Sequence, residues 1–182
     1  DLFTPQTTVN EQPLWDLFGS GQYLAERTKM EQLKSANPTW IPSADLVDKL
    51  QDAEAREAMR IAYNTGNWTQ VIAIAQTQNS ILVCTDIEAL WQLGEAFARV
   101  HNYARSFDVY KYVLVNCADP TERLSTMQKA TALLPQPGID SLVLLGRPQP
   151  DGTSEFADIS FDKLRSDLAA TKSRAVRDEQ AG

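Results

Sequence analysis

Apolar residues return every three or four positions in segments that stop at short turn triplets and resume after them. The triplets are Gly21-Gln22-Tyr23, Gly66-Asn67-Trp68 and His101-Asn102-Tyr103. A stripe of that period puts one apolar face on a helix, so each triplet predicts the reversal of a helical hairpin. Leu90, Leu93 and Phe97 before the third triplet, and Phe107 and Tyr110 after it, form the facing stripes of the clearest hairpin. The triplets stand 45 and then 35 residues apart. The longer interval has its excess in "TWIPSADLVDKL", where Pro42 and Ser43 make a helix start and Leu46, Val47 and Leu50 lengthen the helix that follows.

The stretch Ile87 to Pro120 carries a recognisable order of residue types. Leu90 stands at a large site, Leu93-Gly94 form a Leu-Gly pair, and Phe97 follows as an aromatic. Tyr103 is a turn aromatic, Ser106 a small residue and Tyr110 a second aromatic. This order resembles the tetratricopeptide repeat, a helix-turn-helix unit of about 34 residues. The stretch Asp52 to Thr85 keeps Gly66, Trp68 and the helix "QVIAIAQ" but has Ala58-Met59 where Leu-Gly belongs. The stretch Thr7 to Trp40 keeps Gly21, Tyr23, Ala25, Leu33 and Pro38, with Pro13 starting its first helix. A degenerate half follows at Thr121, with Leu124, Met127 and Thr131 at the matching sites. The resemblance implies an all-α, tetratricopeptide-like solenoid over residues 1–150, with three degenerate repeats at about 7–40, 52–85 and 87–120 plus capping helices. Within "PQPGIDSLVLLGRPQPDG" the apolar stretch Leu142 to Leu145 is the expected last capping helix. Residues 151–182 read as a helix and polar tail. There Phe156, Ile159, Phe161, Leu164 and Leu168 make an apolar stripe on a helix from Ser160 to Thr171, which either folds back onto the repeats or is offered to a partner.

In proteins with this repeat the first helix of each unit lines a concave surface. Carried over position by position, that surface takes Arg56, Arg60, Tyr63 and Asn64 from the second unit and Glu88, Trp91, Glu95 and Arg99 from the third. The first and last units add Trp15 and Lys129. Arg56 and Arg60 are four apart, so both guanidinium groups leave one side of a helix. Together they suit a carboxylate, which arginine binds bidentately, while Tyr63 and Trp91 offer rigid apolar area. The alternative is that the two arginines pair with Asp52, Glu57 or other surface acids. Trp40 and Trp68 are expected to pack in their junction and turn rather than to face a ligand.

His101, the single histidine, occupies the turn position that Gly21 and Gly66 hold in the other triplets. A turn residue fits it better than a general base or metal ligand, which would need a second group beside it. Cys84 stands just before the first helix of the best hairpin and Cys117 at the end of its second, so an antiparallel pair brings them side by side. Two reduced, buried cysteines are the alternative; the hairpin geometry favours the bond. A disulfide places the chain in an oxidising compartment, periplasmic or extracellular.

Composition narrows the function. In 182 residues, 17 Lys and Arg stand against 24 Asp and Glu, a net charge of -7, which opposes binding to a phosphate backbone. No apolar run approaches the roughly 20 residues that span a bilayer. A chain opening at Asp1 without a methionine or a leader reads as a mature or excised form. No phosphate-binding glycine loop, zinc spacing or activated nucleophile stands out, so neither an enzyme nor a cofactor is expected. The expectation is a non-catalytic scaffold for a protein or peptide partner, acidic in character, in an exported envelope or polysaccharide-secretion assembly. The alternatives are a carbohydrate-contacting module, with Trp15, Tyr63 and Trp91 stacking on sugars, and a helical accessory domain of a larger enzyme.

Overall fold

A computed structural model describes residues 8–117 and 119–145. Among these residues every regular element is helical: α1 (Gln12–Gly19), α2 (Tyr23–Ala36), α3 (Ala44–Asn64), α4 (Trp68–Thr77), α5 (Ile87–Arg99), α6 (Tyr103–Asn116), α7 (Pro120–Leu133) and α8 (Gln136–Leu144). The protein is all-α. Short 3-10 turns at Asn79–Ile81 and Cys84–Asp86 join α4 to α5. No helix among the described residues is long and apolar enough to cross a membrane. The chain divides within α3, between Ala58 and Met59, into two compact units. The stripe of Phe156 to Leu168 and its expected helix from Ser160 lie outside the described residues.

In the first unit α1 carries Pro13 in its first turn, where the missing N–H is no loss. Gly21 then takes φ 74°, the left-handed conformation that reverses the chain into α2. Ser43 opens α3: its hydroxyl accepts the N–H of Leu46, while its own N–H and Oγ–H donate to the Glu11 carboxylate at 2.9 and 2.7 Å. Leu14, Met30, Trp40, Leu46 and Leu50 form the core, so Trp40 is a core residue as its junction position implies. Arg27 of α2 donates from Nε and Nη2 to the two carboxylate oxygens of Glu54 on α3.

The buried face of α2 carries an acidic residue. Ala25 and Leu24 are exposed, and Glu26 is fully buried, with neither carboxylate oxygen hydrogen-bonded among the described residues. Burial raises the Glu26 pKa above the ordinary carboxylate value, the charge of Glu54 adds to the rise, and Arg27 opposes it. A carboxyl whose folded pKa is raised stabilises the fold while protonated, and that contribution is lost as pH rises through the folded value. Glu26→Gln removes the ionisation and is expected to stabilise the chain at pH 7 by on the order of 1 kcal/mol. Melting curves of both chains against pH check this: the gap must open above the normal glutamate range and close toward acid pH. Parallel curves would mean that Glu26 is not titrating inside the fold.

In the second unit the two remaining triplets use one device. Gly66 (φ 72°) and His101 (φ 64°) both take the left-handed conformation, and the asparagine after each caps the next helix. The side chain of Asn67 accepts the Gln70 N–H, and that of Asn102 accepts the Arg105 N–H, each at 3.3 Å. His101 is therefore a turn residue, and its Nδ1 lies 2.9 Å from the Tyr103 hydroxyl. Asp119 caps α7 in the same way through the Glu122 N–H.

The closest helix pair is α5 with α6. A Cβ added to Gly94 would stand 2.8 Å from Cζ of Tyr110, so only glycine leaves room for that ring. Ser106, fully buried, donates its hydroxyl to the Gly94 carbonyl at 2.7 Å and ties the helices at their crossing. Tyr110, Leu114, Met127, Ala130, Leu134, Ile139 and Leu142 then join α6, α7 and α8 in one core. At the other end of the hairpin Cys84 and Cys117 stand at disulfide distance, their Cα atoms 5.3 Å apart, as the hairpin geometry implies. They lie among Leu82, Ile87, Leu90, Val109 and Val113.

Candidate functional site

One side of α5 presents Trp91, Glu95 and Arg99, successive fourth residues that a helix stacks in a row. Each is already engaged. Glu95 accepts the Tyr63 hydroxyl at 2.9 Å and Nε–H of Arg99 at 3.3 Å. The Arg99 guanidinium lies 5.7 Å from the centre of the Trp68 ring, and Trp68 meets Tyr63 edge to face at 5.6 Å. Tyr63, Trp68, Glu95 and Arg99 thus form a closed network between the end of α3, the start of α4 and the middle of α5. Burial, followed by the hydrogen bond to Glu95, raises the Tyr63 pKa and keeps its hydroxyl a donor. Tyr110 lies behind this network, fully buried; its hydroxyl has no hydrogen-bond partner among the described residues, and burial raises its pKa strongly.

Trp91 is held by the next helix. Its Nε1–H donates to Oγ1 of Thr126 at 2.8 Å, and Thr126 donates in turn to the Glu122 carbonyl at 2.6 Å. Nζ of Lys129 stands 4.8 Å from the centre of the Trp91 ring. The indole is thereby fixed at one edge and faced by a cation.

The structure brings Tyr63, Glu95 and Arg99 together, and Trp91 with Lys129. Asn64 is the exposed last residue of α3 and joins neither group; Glu88 is exposed in the first turn of α5. Arg56 and Arg60 are one turn apart on α3, and neither is without a partner. Trp15 belongs to the first unit, where it packs on the core, meets Phe18 edge to face and lies under Nζ of Lys49 at 5.6 Å. Two members escaped the sequence reading. Trp68 stacks on Tyr63 and Arg99 as well as closing its turn. Thr126 has only a hydroxyl to betray it, with no pattern to show that it faces an indole 35 residues away.

Chemically the site offers three aromatic side chains, two exposed cations and one carboxylate, all oriented by neighbours. Glu95 and Tyr63 are hydrogen-bonded to each other rather than to a group poised for proton transfer. Among the described residues no cluster of three or more His, Cys, Asp or Glu side chains is arranged to hold a metal ion. No family model matches the chain, and no curated protein or solved structure matches it.

Proposed function

We propose that this chain is a helical-hairpin array of the tetratricopeptide kind, closed by α8 as a capping helix, which binds a protein or peptide partner without catalysis. The observation that carries the reading is the α5 row and its supports. Trp91 is pinned by Thr126, while Tyr63, Glu95 and Arg99 brace one another, so a partner meets side chains whose rotamers are already set. Pre-ordering of that kind lowers the entropy cost of recognition, which for each free long side chain is about 0.5–1.5 kcal/mol. Arg99 and Lys129 remain exposed beside the aromatic rings and favour an acidic partner. The Cys84–Cys117 pair suits an exported location, periplasmic or extracellular, and an envelope or polysaccharide-secretion scaffold is the assembly we infer by analogy alone.

The test is titration of the full chain with acidic and neutral peptides and with neutral oligosaccharides. Acidic peptides are expected to bind, and to bind less tightly as salt rises. Replacing Arg56 and Arg60 together with Ala is expected to weaken that binding at least tenfold, since a charge-assisted hydrogen bond contributes about 1.5–3 kcal/mol. Melting should change little, because surface ion pairs contribute about 0–1 kcal/mol. Unchanged affinity with normal melting moves the site away from those arginines. Salt-insensitive binding of oligosaccharides alone replaces the peptide reading with sugar stacking on Tyr63 and Trp91.

A further inference from the structure

A second surface lies on the other side of α5. Leu90, Leu93 and Phe97 of α5 and Val109 and Tyr112 of α6 line a cleft of about 500 Å3, together with Arg105 and Asp108 of α6. Its apolar surface continues beyond the cleft, because Tyr112 and Val115, one turn apart on α6, and Val83 beside the cysteine pair are all exposed. Along α6 the cleft runs from Arg105 to Tyr112, about 10 Å at helical rise, a length that suits the apolar face of a short helix.

The sequence that follows α8 supplies a candidate for such a face. Gly138, near the start of α8, stands against Phe107 near the start of α6, and Leu142 shares a core with Leu114 near its end. The last described residue, Leu145, follows directly on α8 and packs against the core that α8 shares with α6 and α7. The next ten residues, "GRPQPDGTSE", are polar and punctuated by Pro and Gly. Extended, they reach roughly 30 Å, more than twice the diameter of about 10–12 Å of a helix such as α6. Then come Phe156, Ile159, Phe161, Leu164 and Leu168, whose stripe from Phe161 to Leu168 measures about 10 Å at helical rise.

We propose that residues 156–168 of this chain are the occupant of the cleft, docking in cis with Phe161, Leu164 and Leu168 toward Leu93, Phe97 and Val109. A tether of ten residues gives an effective concentration in the millimolar range, so even a contact with Kd of about 100 µM would be made about nine-tenths of the time. A free peptide of the same sequence would need to be near millimolar to compete. The inference does not rest on the peptide-binding reading, which uses the opposite side of α5.

A photo-cross-linking residue at position 164 of the full chain tests it. The expected product is a cross-link within one chain, mapping by peptide mass to the segments around Leu82, Phe97 or Tyr112, independent of protein concentration. Phe161→Asp with Leu168→Asp in the same chain should abolish that product and raise the fluorescence of a bound apolar dye severalfold. Helix content and melting of this variant, measured alongside, separate loss of docking from loss of folding. Cross-links to the cleft that form only between chains, and grow with concentration, overturn docking in cis and make a second copy the occupant. Cross-links elsewhere, or none, overturn the assignment of the cleft to this segment.

Discussion

Reduction of the Cys84–Cys117 pair is expected to lower the melting temperature by about 10 °C. The pair closes a loop of 33 residues. On the chain-entropy model a loop of that length restricts the unfolded chain by about 4 kcal/mol at 25 °C, and for a chain of this size each kcal/mol moves the midpoint by about 2–4 °C. Cys117 is buried with Leu90 and Val113, so reduction is expected to leave its apolar packing largely in place. Intact mass of the native, non-reduced chain should be two hydrogens below that of the reduced chain. Melting with and without reductant, beside the double Cys84→Ala, Cys117→Ala variant, then reads the stability. Two freely alkylated cysteines in oxidised native protein would remove the bond, and with it the exported location proposed from it.

Gly94→Leu is expected to cost on the order of 3 kcal/mol. The new Cβ would enter the space of the Tyr110 ring, with Cζ at 2.8 Å and Cε1 at 3.0 Å, before the rest of the leucine is placed. Tyr110 cannot turn aside: it is fully buried in the core with Leu114, Met127 and Ala130. Nor can α5 and α6 part freely while Ser106 holds the Gly94 carbonyl. Denaturant titration measures the loss. A double-mutant cycle of Gly94→Ala with Tyr110→Leu should recover about 1 kcal/mol or more of coupling, because the smaller side chain vacates the contested space. A Gly94→Leu chain as stable as its parent would mean that these helices do not cross at Gly94.

Much of the fold was legible in the sequence. The three triplets marked three reversals, and Gly21, Gly66 and His101 all take positive φ there. Pro13 and Ser43 marked helix starts, the Gly94, Ser106 and Tyr110 sites marked the tightest crossing, and the positions of the two cysteines marked their pairing. These are local signals. A φ preference, a cap or a helical period acts within a few residues, so neighbouring positions along the chain carry it.

Side-chain partners across helices were decided by the tertiary structure. Helical phase advances about 100° per residue, so a small change in how α2 meets its neighbours decides that Glu26 is buried and Ala25 exposed. The same holds for Trp91 with Thr126, for Trp68 between Tyr63 and Arg99, and for the cleft over Leu93 and Phe97. The sequence by itself determined where this chain turns and which of its segments are helices, because backbone preferences are local. Only the packed structure decided which polar groups are held, which carboxyl is buried and which apolar surface stays uncovered, because those depend on the distance and rotation between helices that are far apart in sequence.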